Sequence, residues 1–142
     1  MVGRGILKSP EMDAKGHTIT LRDEPGQVEV VVDGITMASS TRTVVLEETG
    51  LPPRHYFPRD DVRVDLATPT DTSTHCPFKG QASYLTFTSE GREHRDLAWS
   101  YESPIDGMER IRDLVCFFDE RVDLTIDGKP RGRPQTQWSE AG

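Results

Sequence analysis

The stretch Val28-Glu29-Val30-Val31-Val32-Asp33-Gly34-Ile35-Thr36-Met37-Ala38 decides the fold class of this chain. It contains two runs rich in β-branched residues, and only Asp33-Gly34 separates them. An Asp-Gly pair readily adopts the positive φ angles of a type I′ turn, which joins two antiparallel strands without splaying them. The stretch therefore predicts a β-hairpin.

Similar short runs recur on both sides of this hairpin, and turns that contain Gly or Pro separate them. They cover residues 17–21 before the hairpin and residues 82–88, 94–101 and 121–127 after it. Many short strands with frequent turns are typical of an antiparallel β domain. The polar segment at residues 68–74 predicts a loop.

One helix is expected, at about residues 104–115. Ser103 suits the N-cap and Pro104 suits the first helical position. Apolar residues then recur at steps of three and four, namely Ile105, Met108, Ile111, Leu114 and Val115. This spacing places them on one face of a helix. The predicted fold is mainly β: a single small antiparallel sheet, tent-like or half-barrel-like, with one short helix.

The length of 142 residues favours a single domain. Residues 1–16 mix Gly, Pro and charged residues without a period, which indicates a flexible N-terminal arm. Residues 17–128 are predicted to form the β-rich domain. Residues 129–142 are again irregular and rich in Gly and Pro, and they predict a disordered tail.

Composition excludes several classes of function. The net charge of −7 argues against a nucleic-acid partner. No apolar run approaches the length of a membrane helix and no signal peptide precedes the strands, so we expect no membrane partner and a cytoplasmic location. The cysteines and histidines lack the spacing of metal ligands, so no metal site and no cofactor are expected. The oligomeric state is left open.

Reactive side chains are concentrated in the sequence His75-Cys76-Pro77-Phe78-Lys79-Gly80. A thiol becomes a nucleophile when a neighbouring positive charge lowers its pKa, and Lys79 can supply that charge if Pro77-Phe78 forms a turn. On an extended segment His75 would point away from Cys76. Cys76 and Lys79 are therefore the candidate catalytic residues, with a buried, inert Cys76 as the alternative.

Further residue types suggest a binding pocket. Lys79 and Arg54 could hold a phosphate or carboxylate group. Glu47 and Asp61 are the acidic residues best placed for acid–base work or ligand contacts. Aromatic side chains with polar tips could form the walls, and the candidates are Tyr56, Tyr84, Trp99 and Tyr101. The alternation of Trp99 with Leu97 equally fits a core position.

Separate blocks of the chain resemble, in register, a widespread bacterial family known only as a domain of unknown function, DUF427. The blocks are EETGLPPRHYFPRDDV (residues 47–62), TDT (70–72), CPFKG (76–80), AWSY (98–101) and FDERVD (118–123). The resemblance runs from about residue 41 to residue 128 and implies a compact, mainly β fold with one helix. The family usually has Tyr where this chain has Phe78. A nucleotidyltransferase-like label is sometimes attached to the family, but this chain contains neither a P-loop nor a Gly-Ser pair followed by paired aspartates.

Three functions are compatible with these patterns. The first is the binding of a small polar or anionic molecule in a cleft between residues 52–61 and the turn at residues 76–80. The second is an enzyme in which Cys76 is the nucleophile and Lys79 stabilises the thiolate. The third is a protein-interaction module that uses an exposed strand edge or the tail.

Overall fold

The computed structural model of the chain describes residues 16–139, and within them eleven strands form two antiparallel sheets. The strands are β1 (Ile19–Glu24), β2 (Val28–Val32), β3 (Ile35–Ser40), β4 (Thr43–Glu48), β5 (Arg54–Phe57), β6 (Ala67–Cys76), β7 (Gly80–Ser89), β8 (Arg92–Pro104), β9 (Val115–Phe117), β10 (Asp123–Ile126) and β11 (Lys129–Pro130). The order is β1-β4-β5-β9-β8-β7-β6 in the larger sheet and β11-β10-β2-β3 in the smaller one. The prediction of a mainly β, antiparallel fold is confirmed. The single sheet that the sequence indicated is instead two sheets.

The hairpin that decides the fold class forms as predicted. Strands β2 and β3 pair, and Asp33 and Gly34 adopt φ angles of 52° and 77° between them. Along β2 the side chains of Val28, Val30 and Val32 are buried, so this face of the hairpin points into the protein.

The larger sheet carries apolar clusters on both of its faces. Its inner face packs against the smaller sheet, where Phe57, Phe87 and Phe117 join the valines of β2 in one core. Its outer face carries a second cluster that includes Tyr56 and Cys116. Neighbouring residues of one strand point to opposite faces of a sheet, which is why Tyr56 and Phe57 belong to different clusters. The outer cluster is the one that bears the candidate site.

The predicted helix at residues 104–115 is wrong. Ser103 and Pro104 belong to β8, and the segment that follows contains only a 3-10 turn at Glu109–Ile111. Gly107 and Asp113 have φ angles of 97° and 64°, and an α-helix cannot include these left-handed conformations. The apolar residues are nevertheless used, since Met108 and Ile111 lie buried in the outer cluster. Within residues 16–139 no helix is long and apolar enough to cross a membrane.

Two polar segments that were predicted to be irregular also contribute to the sheets. The expected loop at residues 68–74 is part of β6, an exposed strand at the edge of the larger sheet. The tail was expected to be disordered from residue 129, but Lys129–Pro130 pairs with β10 and Trp138 packs against the outer cluster. Except for Gly16, the predicted N-terminal arm at residues 1–16 lies outside the described residues.

Candidate functional site

A cleft of about 160 Å³ opens on the outer face of the larger sheet. It lies between the segment that joins β4 to β5, the end of β6 with the start of β7, the middle of β8, and the tail. Its walls are largely aromatic. The lining residues are Glu48, Leu51, Pro52, Arg54, Tyr56, Thr74, Lys79, Tyr84, Trp99, Tyr101, Phe118 and Trp138.

Six of the residues selected from the sequence meet in this cleft: Arg54, Tyr56, Lys79, Tyr84, Trp99 and Tyr101. Strand pairing explains why. Tyr84 lies opposite Trp99 in the β7–β8 register, and Trp99 lies opposite Cys116, which in turn lies opposite Tyr56. Residues paired across neighbouring antiparallel strands share one face, so these side chains form a row on the outer face.

The two acidic residues selected from the sequence lie elsewhere. Glu47 is exposed and faces Arg22 at 3.6 Å, whereas its neighbour Glu48 points into the cleft because successive residues of β4 alternate between faces. Asp61 accepts hydrogen bonds from the Ser40 hydroxyl (2.6 Å) and from Arg42 (3.2 Å). Asp61 therefore anchors the end of β3, away from the lining of the cleft.

Lys79 and Glu48 form an ion pair at one side of the cleft. The Lys79 ammonium donates to Glu48 at 2.6 Å, and the two side chains are only 11% and 7% exposed. The second oxygen of Glu48 lies 2.9 Å from the Nε2 atom of His17, whose ring stacks on Phe78. The pair thus places a hydrogen-bond donor directly beside an acceptor on one wall, and the positive charge of Lys79 is already compensated.

Arg54 and Glu120 form a second, deeper ion pair. Both terminal nitrogens of Arg54 donate to Glu120, at 2.8 and 2.9 Å, and the Glu120 side chain is fully buried. Burial alone would raise the pKa of Glu120, but hydrogen bonds from Arg54 and Thr136 hold it below its ordinary value. The guanidinium also lies against aromatic faces, 5.3 Å from the ring centre of Trp99 and 5.8 Å from that of Trp138.

Tyrosine hydroxyls supply polar groups among these rings. The Trp99 indole N–H donates to the Tyr56 hydroxyl at 3.1 Å. This bond holds the two rings edge to face within the cleft. The Tyr84 hydroxyl is 2.9 Å from that of Thr74, across the β6–β7 pair. Burial raises the pKa of Tyr101 far above its ordinary value, so its phenol stays protonated at physiological pH. Each hydroxyl can therefore act as a donor or an acceptor.

The Lys79 ammonium is not a partner of the Cys76 thiol. The backbone N–H of Lys79 closes a turn onto the Cys76 carbonyl at 3.2 Å, but the Lys79 ammonium is directed to Glu48. Cys76 does not line the cleft. Cys116 lies in the outer cluster, and burial raises the pKa of its thiol well above the ordinary value. A nucleophilic role for Cys76 therefore stays a prediction from the sequence.

The two thiols should react with iodoacetamide at very different rates. We expect half-buried Cys76 to be alkylated in the native protein at least about tenfold faster than buried Cys116, because the reactive thiolate must form and be reached by the reagent. Peptide mass mapping after a timed reaction measures both rates. A guanidinium-unfolded sample is the control, in which the two rates should converge. Comparable native rates would contradict the burial of Cys116.

A second cleft of about 270 Å³ shares Pro52 with the first and is lined by Pro52, Pro53, Asp119, Leu124, Arg131, Gly132, Arg133 and Pro134. Burial raises the pKa of Asp119 to about 7, although Arg54 opposes this effect.

On the inner face of β5, His55 is 2% exposed, and burial lowers its pKa to about 4. Neither ring nitrogen of His55 has a hydrogen-bond partner among the described residues.

Sequence reasoning missed five residues that line the first cleft, namely Glu48, Leu51, Thr74, Phe118 and Trp138. It also missed Glu120, which accepts hydrogen bonds from Arg54. The strand alternation that buries Val44 and Leu46 could have indicated Glu48, since it lies at the next even position of β4. Phe118 and Glu120 lie within the quoted block at residues 118–123. Trp138 carries no signal within an irregular tail except that it is one of only two tryptophans in the chain.

No metal-binding group of three or more His, Cys, Asp or Glu side chains is found within residues 16–139. Comparison with family models gives a match over residues 20–128 to a domain of unknown function, DUF427. The chain belongs to this family. The match covers all of the quoted blocks and confirms the resemblance drawn from them. No curated protein gives a significant match.

Proposed function

We propose that the chain binds a small, neutral, polar molecule with a single ring in the aromatic cleft. The observation that carries the proposal is the convergence of six aromatic side chains on one open cleft: Tyr56, Tyr84, Trp99, Tyr101, Phe118 and Trp138. Concave sites lined by aromatic side chains with a few convergent polar groups are typical of small-molecule binding. Membership of the family supplies no reaction or ligand of its own.

The size of the cleft supports a ligand of one ring. A volume of about 160 Å³ is close to the ~150 Å³ of an engineered cavity that binds benzene. A fused pair of rings would need a larger space or a movement of the walls. The rings of Trp99 and Phe118 have centres 4.6 Å apart and planes tilted by 56°, so a planar ligand can stack on the face of one of them.

The charges of the cleft support a neutral ligand over the anionic one that the sequence also allowed. Both cations that line it are already paired, Arg54 with Glu120 and Lys79 with Glu48. An anion would have to compete with these carboxylates in a poorly solvated site, where an unpaired charge is costly. A neutral molecule with adjacent donor and acceptor groups can instead hydrogen-bond to Lys79 and Glu48 without separating them.

Three probe ligands, nicotinamide, nicotinate and quinoline-3-carboxamide, test which ligand size and which ligand charge the cleft accepts. Both tryptophans of the chain line the cleft, so intrinsic fluorescence reports directly on its occupancy. We expect saturable quenching with nicotinamide. Binding should be at least about tenfold weaker for nicotinate, because of its charge, and for quinoline-3-carboxamide, because of its size. Equal affinity for all three probes, or no binding of nicotinamide, would contradict the proposal.

A double variant, Lys79→Met with Glu48→Gln, checks that the probe binds in this cleft. The paired substitution removes both charges together, so neither is left buried alone. We expect nicotinamide affinity to fall about tenfold, which is the loss of one or two hydrogen bonds. Lys129→Met, at an exposed lysine of β11, is the matched control and should bind as the wild type does. A cytoplasmic location is part of the proposal and rests on the sequence alone.

A further inference from the structure

The last described residues cross from the smaller sheet to the aromatic cleft. Arg131 is still tied to β10, since its N–H donates to the Leu124 carbonyl at 2.9 Å. Five residues later the Thr136 hydroxyl donates to Glu120 at 2.5 Å. Glu120 is fully buried and already holds Arg54, so the tail reaches into the deeper ion pair of the site. A hydrogen bond to a carboxylate is among the stronger ones in proteins.

The end of this segment is a compact turn that presents Trp138. The Thr136 N–H donates to the Ser139 hydroxyl at 2.9 Å, and the Ser139 N–H donates back to the Thr136 carbonyl at 3.1 Å. The Trp138 N–H donates to the Thr136 hydroxyl at 3.1 Å. Thr136 therefore organises the turn and fastens it to Glu120 with the same hydroxyl group.

Trp138 forms one wall of the cleft. Its ring centre is 6.4 Å from that of Phe118, and the Arg54 guanidinium lies 5.8 Å from it. The cleft of about 160 Å³ exists with Trp138 in this position, so the indole borders the open space rather than filling it. A ligand in the cleft would be in contact with this ring.

The attachment of the segment is local and made by side chains. Among the described residues, no backbone hydrogen bond joins residues 132–139 to the rest of the domain. Among the described residues two polar side-chain links hold it, Arg133 to Asp123 at 3.2 Å and Thr136 to Glu120, in addition to the packing of Trp138 against Phe118 and Arg54. Gly132 has a φ angle of 74°, which suits a pivot between β11 and the turn. Segments with so few links open at low free energy, and lids are drawn from such segments.

We infer that residues 133–139 form a hinged lid over the cleft, with Thr136 as its latch on Glu120 and Trp138 as the wall that closes on the ligand. The lid is a segment of this chain. The inference rests on the proposed function for the identity of the ligand. The hydrogen bond between Thr136 and Glu120, however, is present without a ligand. Thr136 is a positioning residue, because it acts on the ligand only through Trp138 and Arg54.

The latch can be tested without any ligand by fluorine NMR of protein labelled with 5-fluorotryptophan. The chain has two tryptophans, so two signals are expected, and Trp138→Phe assigns them. Thr136→Val removes the hydroxyl and should raise the open population about tenfold or more, which moves the Trp138 signal toward that of the free amino acid. The Trp99 signal should stay in place and is the internal control for folding. Thr136→Ser keeps the hydroxyl and should match the wild type.

Nicotinamide extends the test to the coupling between lid and ligand. If the ligand binds only the closed form, Thr136→Val weakens nicotinamide binding by the factor by which it lowers the closed fraction, and the position of the Trp138 signal gives that fraction. A Trp138 signal that is unchanged in Thr136→Val, or that moves equally in Thr136→Ser, would overturn the lid. A shifted signal with unaltered nicotinamide affinity would overturn its role in binding. Failure of nicotinamide to bind the wild type contradicts the proposed function, and the ligand-free spectra still decide the latch.

Discussion

Glu120→Ala is expected to lower the free energy of unfolding by about 3–5 kcal/mol, because it leaves the Arg54 guanidinium buried without a counter-charge. Glu120 accepts hydrogen bonds from both terminal nitrogens of Arg54 and from the Thr136 hydroxyl. Cation–π contacts with Trp99 and Trp138 hold the guanidinium in place and do not neutralise it. Urea denaturation followed by circular dichroism measures the change.

Two further variants separate the charge from the packing. Arg54→Met combined with Glu120→Leu removes both charges and should recover most of the lost stability, since apolar pairs of similar volume often replace buried ion pairs without loss. Thr136→Val removes only the hydrogen bond of the latch and should lower the free energy of unfolding by about 1–2 kcal/mol. If Glu120→Ala costs no more than Thr136→Val, the ion pair does not have the buried character that the structure shows.

The second large effect concerns pH and two groups that titrate in opposite senses, the buried His55 and the half-buried Asp119. The pKa of His55 falls from 6.5 to about 4 on folding, so its contribution to stability is present above pH 6.5 and is lost as the pH falls toward 4. The pKa of Asp119 rises from 3.8 to about 7, so its contribution is present below pH 3.8 and is lost as the pH rises through 7. The two contributions should largely cancel in the wild type between about pH 4.5 and 6.5.

Single substitutions should reveal each contribution. In Asp119→Asn the free energy of unfolding should rise by about 2 kcal/mol between about pH 4.5 and 6.5, because the contribution of His55 is no longer opposed by that of Asp119. In His55→Leu it should fall by about the same amount over the same range. Urea titrations at several pH values measure the slopes, and the double variant is the control that should be flat. Slopes of the same sign in both single variants would exclude the opposing titration.

The sequence was sufficient for the fold class because the decisive signals are local. Asp33-Gly34 needs only its own two residues to specify a turn, and the valines of β2 alternate regardless of what they pack against. The helix prediction failed for the converse reason. Apolar residues at three-residue steps suit a chain of tight turns as well as a helix, and the positive φ angles of Gly107 and Asp113 decided between them.

The candidate site could be predicted in part, and strand geometry explains which of its residues were found and which were missed. Tyr56, Tyr84, Trp99 and Tyr101 were found because large amphipathic rings are informative wherever they lie. The choice of Glu47 over Glu48 shows the limit, since a shift of one residue on a strand reverses the face. The partner of Arg54 could not be identified from local patterns, because Glu120 is 66 residues away and strand pairing brings the two together.

The course of the tail has a consequence for how the domain should be produced. The family match ends at residue 128, eight residues before Thr136 and ten before Trp138. A recombinant fragment trimmed to that boundary would lose the cover over Phe118 and admit solvent to the Arg54–Glu120 pair. A recombinant fragment of this domain should therefore extend at least to residue 139.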